Sequence, residues 1–375
     1  MSALPRIFIV LSALLATLSA AAAEPLRIPV LVPITGFLAL EGTSQKNGAE
    51  LALRGSGVAF DVNDTATSPE IAVNAFERAL TSGRNQDDVI AVVAPMLGTQ
   101  MLALIPLADE FNVPMVTISG TARITELGSA NVFRFFPGDV VVKAAHARYA
   151  IEERGVKRPA VIFQTTAYGQ SGRAELDRNL TALGRPAVFA EGLDVSVKDM
   201  LPVLSKVRES GADALLLHLH AGPTALVVRQ ARAMGLDIPI IAGSAMHQPE
   251  TAALLSPTEL AGVCAESGAS PISETDAATR AFADAYRTAF DREPDAFALG
   301  QYDGVQMLLA AVQAGAKSAA DIRTYLATQR YDGLAMTYAS DGKGNMAHSA
   351  VILCYSGDSP VPTIVKRYDN LTGIL

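Results

Sequence analysis

Several features that define large classes of proteins are scarce or absent in this sequence. The 375 residues include two cysteines, Cys264 and Cys354, and their spacing matches no metal-binding motif. The formal net charge is −8 and lysine and arginine form no cluster, which disfavours a nucleic acid partner. Beyond the N-terminus no window is both apolar and long enough to span a membrane, which takes roughly 20 residues. We therefore expect no metal site and no nucleic acid partner.

Signatures of catalysis and of nucleotide binding are also missing. No G-x-G-x-x-G follows a predicted strand, and Gly36, Gly98 and Gly120 do not form such a fingerprint. No serine lies in a G-x-S-x-G turn, so hydrolase chemistry has no support. The sequence therefore predicts a protein without a cofactor that is not an enzyme.

The N-terminus has the composition of a cleaved export signal. Arg6 is the only charge in residues 1–23, the apolar run Ile7–Leu18 follows it, and small residues end at Ala23. This order predicts a signal peptide over residues 1–23 and a periplasmic mature chain. An oxidising compartment permits a bond between Cys264 and Cys354, although two buried free thiols fit the sequence equally well.

Apolar runs that alternate with amphipathic segments dominate the mature chain. This alternation is typical of a parallel sheet with helices on both faces. A first series has predicted strands at Leu26–Val32, Val58–Val62, Val89–Val93 and Met115–Ile118. After a pause around Val132–Phe135, a second series has strands at Ala160–Phe163, Ala187–Ala190, Ala214–Leu219 and Ile238–Ala242. The final third is rich in helices, at Asp276–Phe290, Phe297–Ala314 and Ser318–Thr328. The sequence predicts an α/β fold with two Rossmann-like lobes.

The segments that follow the predicted strands are the candidates for a binding site. Ligands of open α/β sheets bind beyond the carboxyl ends of the strands, where helix N-termini present free N–H groups. Two such sheets that face each other form a cleft that can close. The segments are Pro33–Gly42, Ala94–Thr99, Ser119–Arg123, Gln164–Gly169, His220–Gly222 and Gly243–Met246.

An ordered set of short motifs carries a family resemblance. The motifs are Pro33-Ile34-Thr35-Gly36, Val113-Pro114, Val132-Phe133-Arg134, Tyr168-Gly169, Ala231-Arg232-Ala233-Met234-Gly235-Leu236 and Tyr302-Asp303-Gly304-Val305. From about residue 26 to residue 356, the chain resembles the periplasmic branched-chain amino acid-binding proteins of ABC transporters. Each motif alone is weak, and their order over nearly the whole mature chain gives the resemblance its weight.

The resemblance implies a type I periplasmic binding fold, in which three chain crossings form the hinge between the lobes. Lobe one would consist of residues 24–143 and 273–338, and lobe two of residues 144–272 and 339–375. It also implies closure over a small-molecule ligand and delivery to the permease subunits of an ABC transporter. We expect a monomer.

The resemblance further implies which residues bind the ligand. Ser119 to Ala122 correspond to the turn that grips the ligand carboxylate, and Tyr168 corresponds to a tyrosine of the cleft. Glu41 and His220 fall on positions that are aromatic in leucine-binding members. The predicted ligand-binding residues are Glu41, Gly98, Thr99, Ser119, Gly120, Thr121, Ala122, Tyr168, His220 and Ala245.

One departure from the family pattern concerns the acid that holds the ligand ammonium. Leucine-binding members have a glutamate after the fifth strand of lobe two, whereas Gly243–Met246 contains no acid. Glu41 is the predicted substitute, and an amino acid, of branched-chain type, is the predicted ligand. Receptors for aromatic acids or amides, and a sensor with the same fold, stay open as alternatives.

Other side chains near the predicted cleft allow two interpretations each. Arg123 either pairs with an anionic ligand or is solvated, and Tyr302 either covers the cleft or packs at the hinge. Phe37 and Met246 either form apolar walls or belong to ordinary packing.

The histidines His218 and His220 lie two residues apart on a predicted strand. Their side chains would point to the same face of the sheet, where they could supply two metal ligands. A buried His218 and a cleft-lining His220 are the favoured interpretation.

Overall fold

The computed structural model of the protein describes residues 25–81 and 88–375, so the predicted signal peptide lies outside the described residues. The strands are β1 (Val30–Val32), β2 (Val62–Asp64), β3 (Val92–Val93), β4 (Met115–Thr117), β5 (Val132–Arg134), β6 (Pro159–Gln164), β7 (Phe189–Leu193), β8 (Ala214–His218), β9 (Ile240–Ala242), β10 (Val263–Ser267), β11 (Tyr331–Asp332), β12 (Thr337–Tyr338), β13 (Ala350–Cys354) and β14 (Thr363–Tyr368).

The helices alternate with these strands until the final third of the chain. They are α1 (Ala39–Leu53), α2 (Pro69–Thr81), α3 (Gly98–Glu110), α4 (Arg123–Glu126), α5 (Asp139–Arg148), α6 (Ala167–Ala182), α7 (Leu201–Glu209), α8 (Ala221–Ala233), α9 (Pro249–Ala252), α10 (Pro257–Leu260), α11 (Ala277–Phe290), α12 (Ala296–Gln313) and α13 (Ala319–Thr328). Within the described ranges, no helix combines the length and the apolar composition needed to cross a membrane.

The first lobe is built on a parallel five-stranded sheet with the strand order β2-β1-β3-β4-β5. The segment around Val132–Phe135, where the sequence pattern pauses, contributes the edge strand β5, and Val132, Phe133 and Arg134 are all buried. Apolar cores lie on both faces of this sheet, and α12 packs against α1 and β4. The continuous apolar strands are thus explained by burial on both faces.

The second lobe is built on a seven-stranded sheet with the order β14-β13-β10-β9-β8-β6-β7. The strands are parallel except that β13 is antiparallel to both β10 and β14. Cys264 of β10 and Cys354 of β13 are directly paired in register and form a disulfide, which is one of the two alternatives that the sequence left open. The predicted α/β class with two lobes and largely parallel sheets is confirmed.

The chain passes between the two sheets three times. It leaves the first sheet after β5, returns after β10 to α11, and leaves again between β12 and β13. The predicted boundary at residues 143 and 144 falls inside α5, which packs as a whole against α6, β10 and β13 of the second sheet. The residue boundaries of the lobes stay a prediction, and this packing favours a first crossing that ends before Asp139.

Candidate functional site

A cavity lies where the carboxyl ends of the two sheets face each other. Its volume is about 470 Å³, including the part that is open to solvent. The lining side chains come from the segments after strands of both sheets and from α1, α5 and α12. They are Leu38, Glu41, Met96, Leu97, Ile118, Gly120, Phe136, Pro137, Asp139, Val142, Tyr168, His220, Ser244, Ala245 and Phe297.

The structure brings half of the predicted site residues to the wall of this cavity. These are Glu41, Gly120, Tyr168, His220 and Ala245. That these residues contact a ligand stays a prediction.

The other five predicted residues lie directly behind or beside the wall. Gly98 and Thr99 begin α3 next to the lining residue Leu97. Ser119 and Thr121 flank Gly120, and both hydroxyl groups are buried without a hydrogen-bond partner. Ala122 faces the second lobe, and its N–H donates to Ser171 Oγ at 2.8 Å.

Glu41 reaches the cavity because α1 begins earlier than the sequence predicts. The amphipathic pattern in the sequence extends from Ser44 to Leu53, whereas α1 begins at Ala39 and therefore includes Glu41 in its first turn. A Cβ atom at Gly42 would overlap the carbonyl oxygen of Pro33, so only glycine allows the helix start to pack this closely on the end of β1. This contact fixes the direction in which Glu41 projects.

The carboxyl group of Glu41 is buried between the lobes. Its Oε1 accepts a hydrogen bond from the N–H of Ala221, at the first residue of α8, at 2.9 Å. Its Oε2 is buried and has no partner. Burial raises the pKa of Glu41 to about 7, the Ala221 N–H opposes this, and the negative charge of Asp295 adds to it. One oxygen thus joins the lobes while the other lacks a donor.

A second buried carboxyl group lines the cavity, and the sequence analysis missed it. Asp139 is the first residue of α5, and its N–H donates to the carbonyl oxygen of Gly120 at 2.7 Å. Both carboxyl oxygens are buried without a hydrogen-bond partner. Burial raises the pKa of Asp139 to about 7, whereas the positive charge of Lys143, the nearby Ser171 hydroxyl and the positive charge of Arg134 lower it. The sequence signal for Asp139 is an acid in the segment that follows β5, but the sequence pattern around Val132–Phe135 was interpreted as a pause and not as a strand.

The lysine next to Asp139 is already paired. Lys143 Nζ contacts Glu266 Oε1, and both side chains are fully buried. The other oxygen of Glu266 accepts a hydrogen bond from the Ser244 hydroxyl at 2.6 Å. Among the described residues, no lysine or arginine lines the cavity. Glu41 and Asp139 are the two acids among the described lining residues, and no lysine or arginine in that set balances their charge.

One wall of the cavity consists of aromatic rings. Tyr168 and His220 stack with ring centroids 5.3 Å apart, and Phe37 lies at the same distance from His220. The strand β8 ends at His218 and His220 precedes α8, so the prediction that one strand carries both histidines is wrong. Burial lowers the pKa of His220 to about 4, so this ring is neutral at pH 7.

His218 lies beneath Tyr168 and is fully buried, as the sequence interpretation favours. Its Nε2 donates to the carbonyl oxygen of Tyr168 at 3.0 Å and lies 3.7 Å from Asp139 Oδ1. Burial holds the pKa of His218 well below its usual range. In residues 25–81 and 88–375 no group of three or more His, Cys, Asp or Glu side chains is placed to hold a metal ion.

The remaining candidates are placed as follows. Arg123 is exposed on α4, and Met246 is fully buried in the core of the second lobe. Tyr302 packs against Phe282 in the first lobe, with ring centroids 4.9 Å apart. Phe37 is 41% exposed at the rim. Phe37 lies beside the lining ring of His220, with ring centroids 5.3 Å apart.

A buried arginine, Arg134, holds the turn formed by Ser119, Gly120 and Thr121. Arg134 Nη1 donates to all three carbonyl oxygens, at 3.2, 3.2 and 2.8 Å. Burial lowers the pKa of Arg134 to about 10, which leaves it charged at pH 7. The sequence analysis noted this residue for its motif and missed this contact.

Known proteins share this architecture over most of the chain. A curated amino acid binding protein of Pseudomonas aeruginosa is 29% identical, with 90% of this chain and 91% of the relative covered. A Leu/Ile/Val-binding protein homolog of Brucella suis is 26% identical, with 76% of each chain covered. A solute binding protein of an ABC transporter from Rhodopseudomonas palustris, solved with 3,4-dihydroxybenzoic acid, superimposes with a TM-score of 0.83 at 20% identity and covers 92% of this chain and 98% of its own.

A family model described as periplasmic binding protein matches residues 25–356, which includes the first sheet, every strand of the second sheet except β14, and every lining residue of the cavity. The resemblance drawn from the motifs is therefore confirmed. The chain belongs to the periplasmic binding protein family, and its curated relatives include Leu/Ile/Val-binding proteins.

Proposed function

We propose that the mature chain captures an amino acid in the periplasm and delivers it to the permease subunits of an ABC importer. The observation that carries this proposal is Asp139, which has two unpartnered oxygens in a cavity without a lining lysine or arginine. A buried carboxylate without a partner is costly, and a ligand ammonium would remove the cost. The names of the curated relatives support the same ligand class.

Donors in the Ser119–Thr121 turn and at the start of α3 suit the ligand carboxylate. The hydroxyl groups of Ser119 and Thr121 have no partner, and Gly98 and Thr99 are the first residues of a 13-residue helix. N–H groups in the first turn of a helix lack intrahelical acceptors, and the helix dipole stabilises an anion there by about 0.3–1 kcal/mol. An α-amino acid would thus place its carboxylate on α3 and its ammonium on Asp139.

Direct contacts between the lobes support capture by closure. Glu41 Oε1 accepts from Ala221 N, and His247 Nε2 accepts from Ala296 N at 3.1 Å. Gln248 Nε2 donates to Asp295 Oδ2 at 2.7 Å. Three chain crossings allow a hinge motion that makes and breaks such contacts without separating the lobes. We infer from this arrangement and from the relatives' names that the protein binds without catalysis, as a monomer.

The competing ligand class is an aromatic acid, which the relative from R. palustris binds. Such a ligand brings a negative charge and no cation, and it would lie beside Asp139 and Glu41. The two acids therefore favour an amino acid. A sensor with the same fold would share this site, and growth of a deletion strain on the ligand as sole nitrogen source separates import from sensing.

Calorimetry on the mature protein tests the ligand class. An amino acid panel should produce saturable binding, whereas benzoate and 4-hydroxybenzoate should produce none. Asp139→Asn should weaken amino acid binding by about tenfold or more, because a charge-assisted contact is lost. Asp237→Asn is the matched control, because that side chain is fully exposed. Tight binding of a benzoate by the native protein would overturn the proposal.

A further inference from the structure

Glu41 lies at a different part of the cavity from Asp139. Asp139 Oδ1 lies beside Gly120 and Tyr168, because a Cβ atom added at Gly120 would be 3.2 Å from Asp139 Oδ1 and 3.2 Å from the Tyr168 ring. Glu41 instead contacts the start of α8 through Ala221. An α-ammonium that binds Asp139 leaves Glu41 to the side chain of the ligand.

The free oxygen of Glu41 requires a donor that the protein does not supply. Oε1 already accepts from Ala221 N, and Oε2 is fully buried and unpartnered. The N-terminus of α8, a 13-residue helix, favours the ionised form of a carboxyl group at that point. Burial works in the other direction, and it raises the pKa of Glu41 to about 7. A donor on the ligand would complete the hydrogen bonds of this carboxylate.

Besides the ligand α-ammonium at Asp139, a second cation would balance the charge of Glu41. Lys143 is paired with Glu266, and the positive charge of Arg134 acts on Asp139, so neither balances Glu41. The α-ammonium of an aliphatic amino acid would bind Asp139 and would leave Glu41 without a cation. An amino acid with a basic side chain would bring a cation to each acid.

The surroundings of Glu41 suit the stem and the head of such a side chain. Leu38 and Leu97 offer apolar contacts for methylene groups. The ring of His220 is neutral and is flanked by Phe37 at 5.3 Å, and aromatic faces attract cations. We propose, as an extension of the proposed function, that the ligand is a basic amino acid whose side-chain cation binds Glu41.

Lysine and norleucine form the decisive pair of ligands, because norleucine has the carbon chain of lysine without its side-chain ammonium. Calorimetry on the mature protein should give lysine an affinity about tenfold or more above that of norleucine. Glu41→Gln should remove this preference by weakening lysine alone, and Glu41→Leu should reverse it in favour of norleucine. Asp139→Asn should weaken both ligands by similar factors.

The outcomes separate this inference from the function on which it rests. Norleucine or leucine that binds as tightly as lysine overturns the basic ligand and leaves amino acid capture intact. Glutamine that binds more tightly than lysine overturns the cationic side chain. A panel in which no amino acid binds overturns both. Circular dichroism of each variant shows whether it is folded, and a preference for lysine that survives in a folded Glu41→Gln overturns the role of Glu41.

Discussion

Arg134 ties the first chain crossing to the third. Its Nε donates to Asn345 Oδ1 at 3.1 Å, and the backbones of these two residues form an isolated parallel bridge. The same guanidinium holds the carbonyl groups of the turn at Ser119–Thr121. The hinge and the proposed carboxylate site therefore share one buried side chain.

Arg134→Lys should destabilise the protein and loosen this turn. A lysine has the charge but lacks the planar set of donors, so several buried carbonyl groups lose their partners. We expect the free energy of unfolding in urea to fall by about 2–4 kcal/mol. Arg287→Lys, on the exposed face of α11, should change it by less than about 0.5 kcal/mol. Equal urea midpoints for the two variants would contradict this role.

Gly138→Ala offers an independent check on the same guanidinium. A Cβ atom at this position would overlap the guanidinium group of Arg134, although the backbone conformation suits alanine. The variant should therefore reproduce the loss of stability of Arg134→Lys without removing any hydrogen-bonding group. A Gly138→Ala protein with native stability would mean that the guanidinium has room to move.

The buried pair of Lys143 and Glu266 provides the next prediction. Lys143→Met leaves the charge of Glu266 uncompensated in the interior and should cost about 3–5 kcal/mol of unfolding free energy. A double variant, Lys143→Met with Glu266→Leu, should recover most of this loss because no charge stays buried. Thermal and urea unfolding of the three proteins measure the coupling. Additive losses in the double variant would show that the two side chains do not act as a pair.

The sequence predicted the two α/β series well, because strands that are buried on both faces are recognisable from their continuous apolar runs alone. It failed at α5, where Val140, Val141 and Val142 lower helix propensity and where tertiary packing decides the conformation. Because this helix was not predicted, Asp139 and Lys143 were not identified as site residues. No sequence pattern shows that Lys143 meets Glu266, because the two residues are 123 positions apart. The unpartnered oxygens of the cavity emerge only once both lobes are assembled.

The disulfide should stabilise the second lobe. Cys264 and Cys354 are separated by 90 residues, and a cross-link that closes a loop of this length is worth roughly 4–5 kcal/mol in the chain-entropy model. Replacing both cysteines by alanine should lower the free energy of unfolding by about 2–5 kcal/mol. Amino acid affinity should be unchanged, because neither residue lines the cavity. An unchanged urea midpoint in the double variant would contradict this prediction.

The two cavity acids should make the ligand-free protein less stable as the pH rises. Their pKa values are about 7 in the folded protein, against ordinary values of 4.5 for Glu41 and 3.8 for Asp139. Below about pH 3 both groups are largely protonated in either state and contribute little. Between about pH 4.5 and pH 7 the unfolded chain has lost these protons while the folded chain retains them. Unfolding therefore becomes easier over this window, and the loss is complete above pH 7.

Urea unfolding of the ligand-free protein at several pH values between about 4.5 and 8 measures this effect. Each acid accounts for up to about 3–4 kcal/mol of the decline, because one pKa unit corresponds to about 1.36 kcal/mol. Glu41→Gln and Asp139→Asn should each flatten the profile and raise the stability near neutral pH, whereas Asp237→Asn should reproduce the native profile. The neighbouring charges of Asp295, Lys143, Arg134 and Glu266 stay in place in all three variants. A native profile that rises from pH 4.5 to pH 7, or variants that leave the profile unchanged, would show that the two acids carry their charge in the empty cavity without cost. In that case, neither acid would need a cation from the ligand.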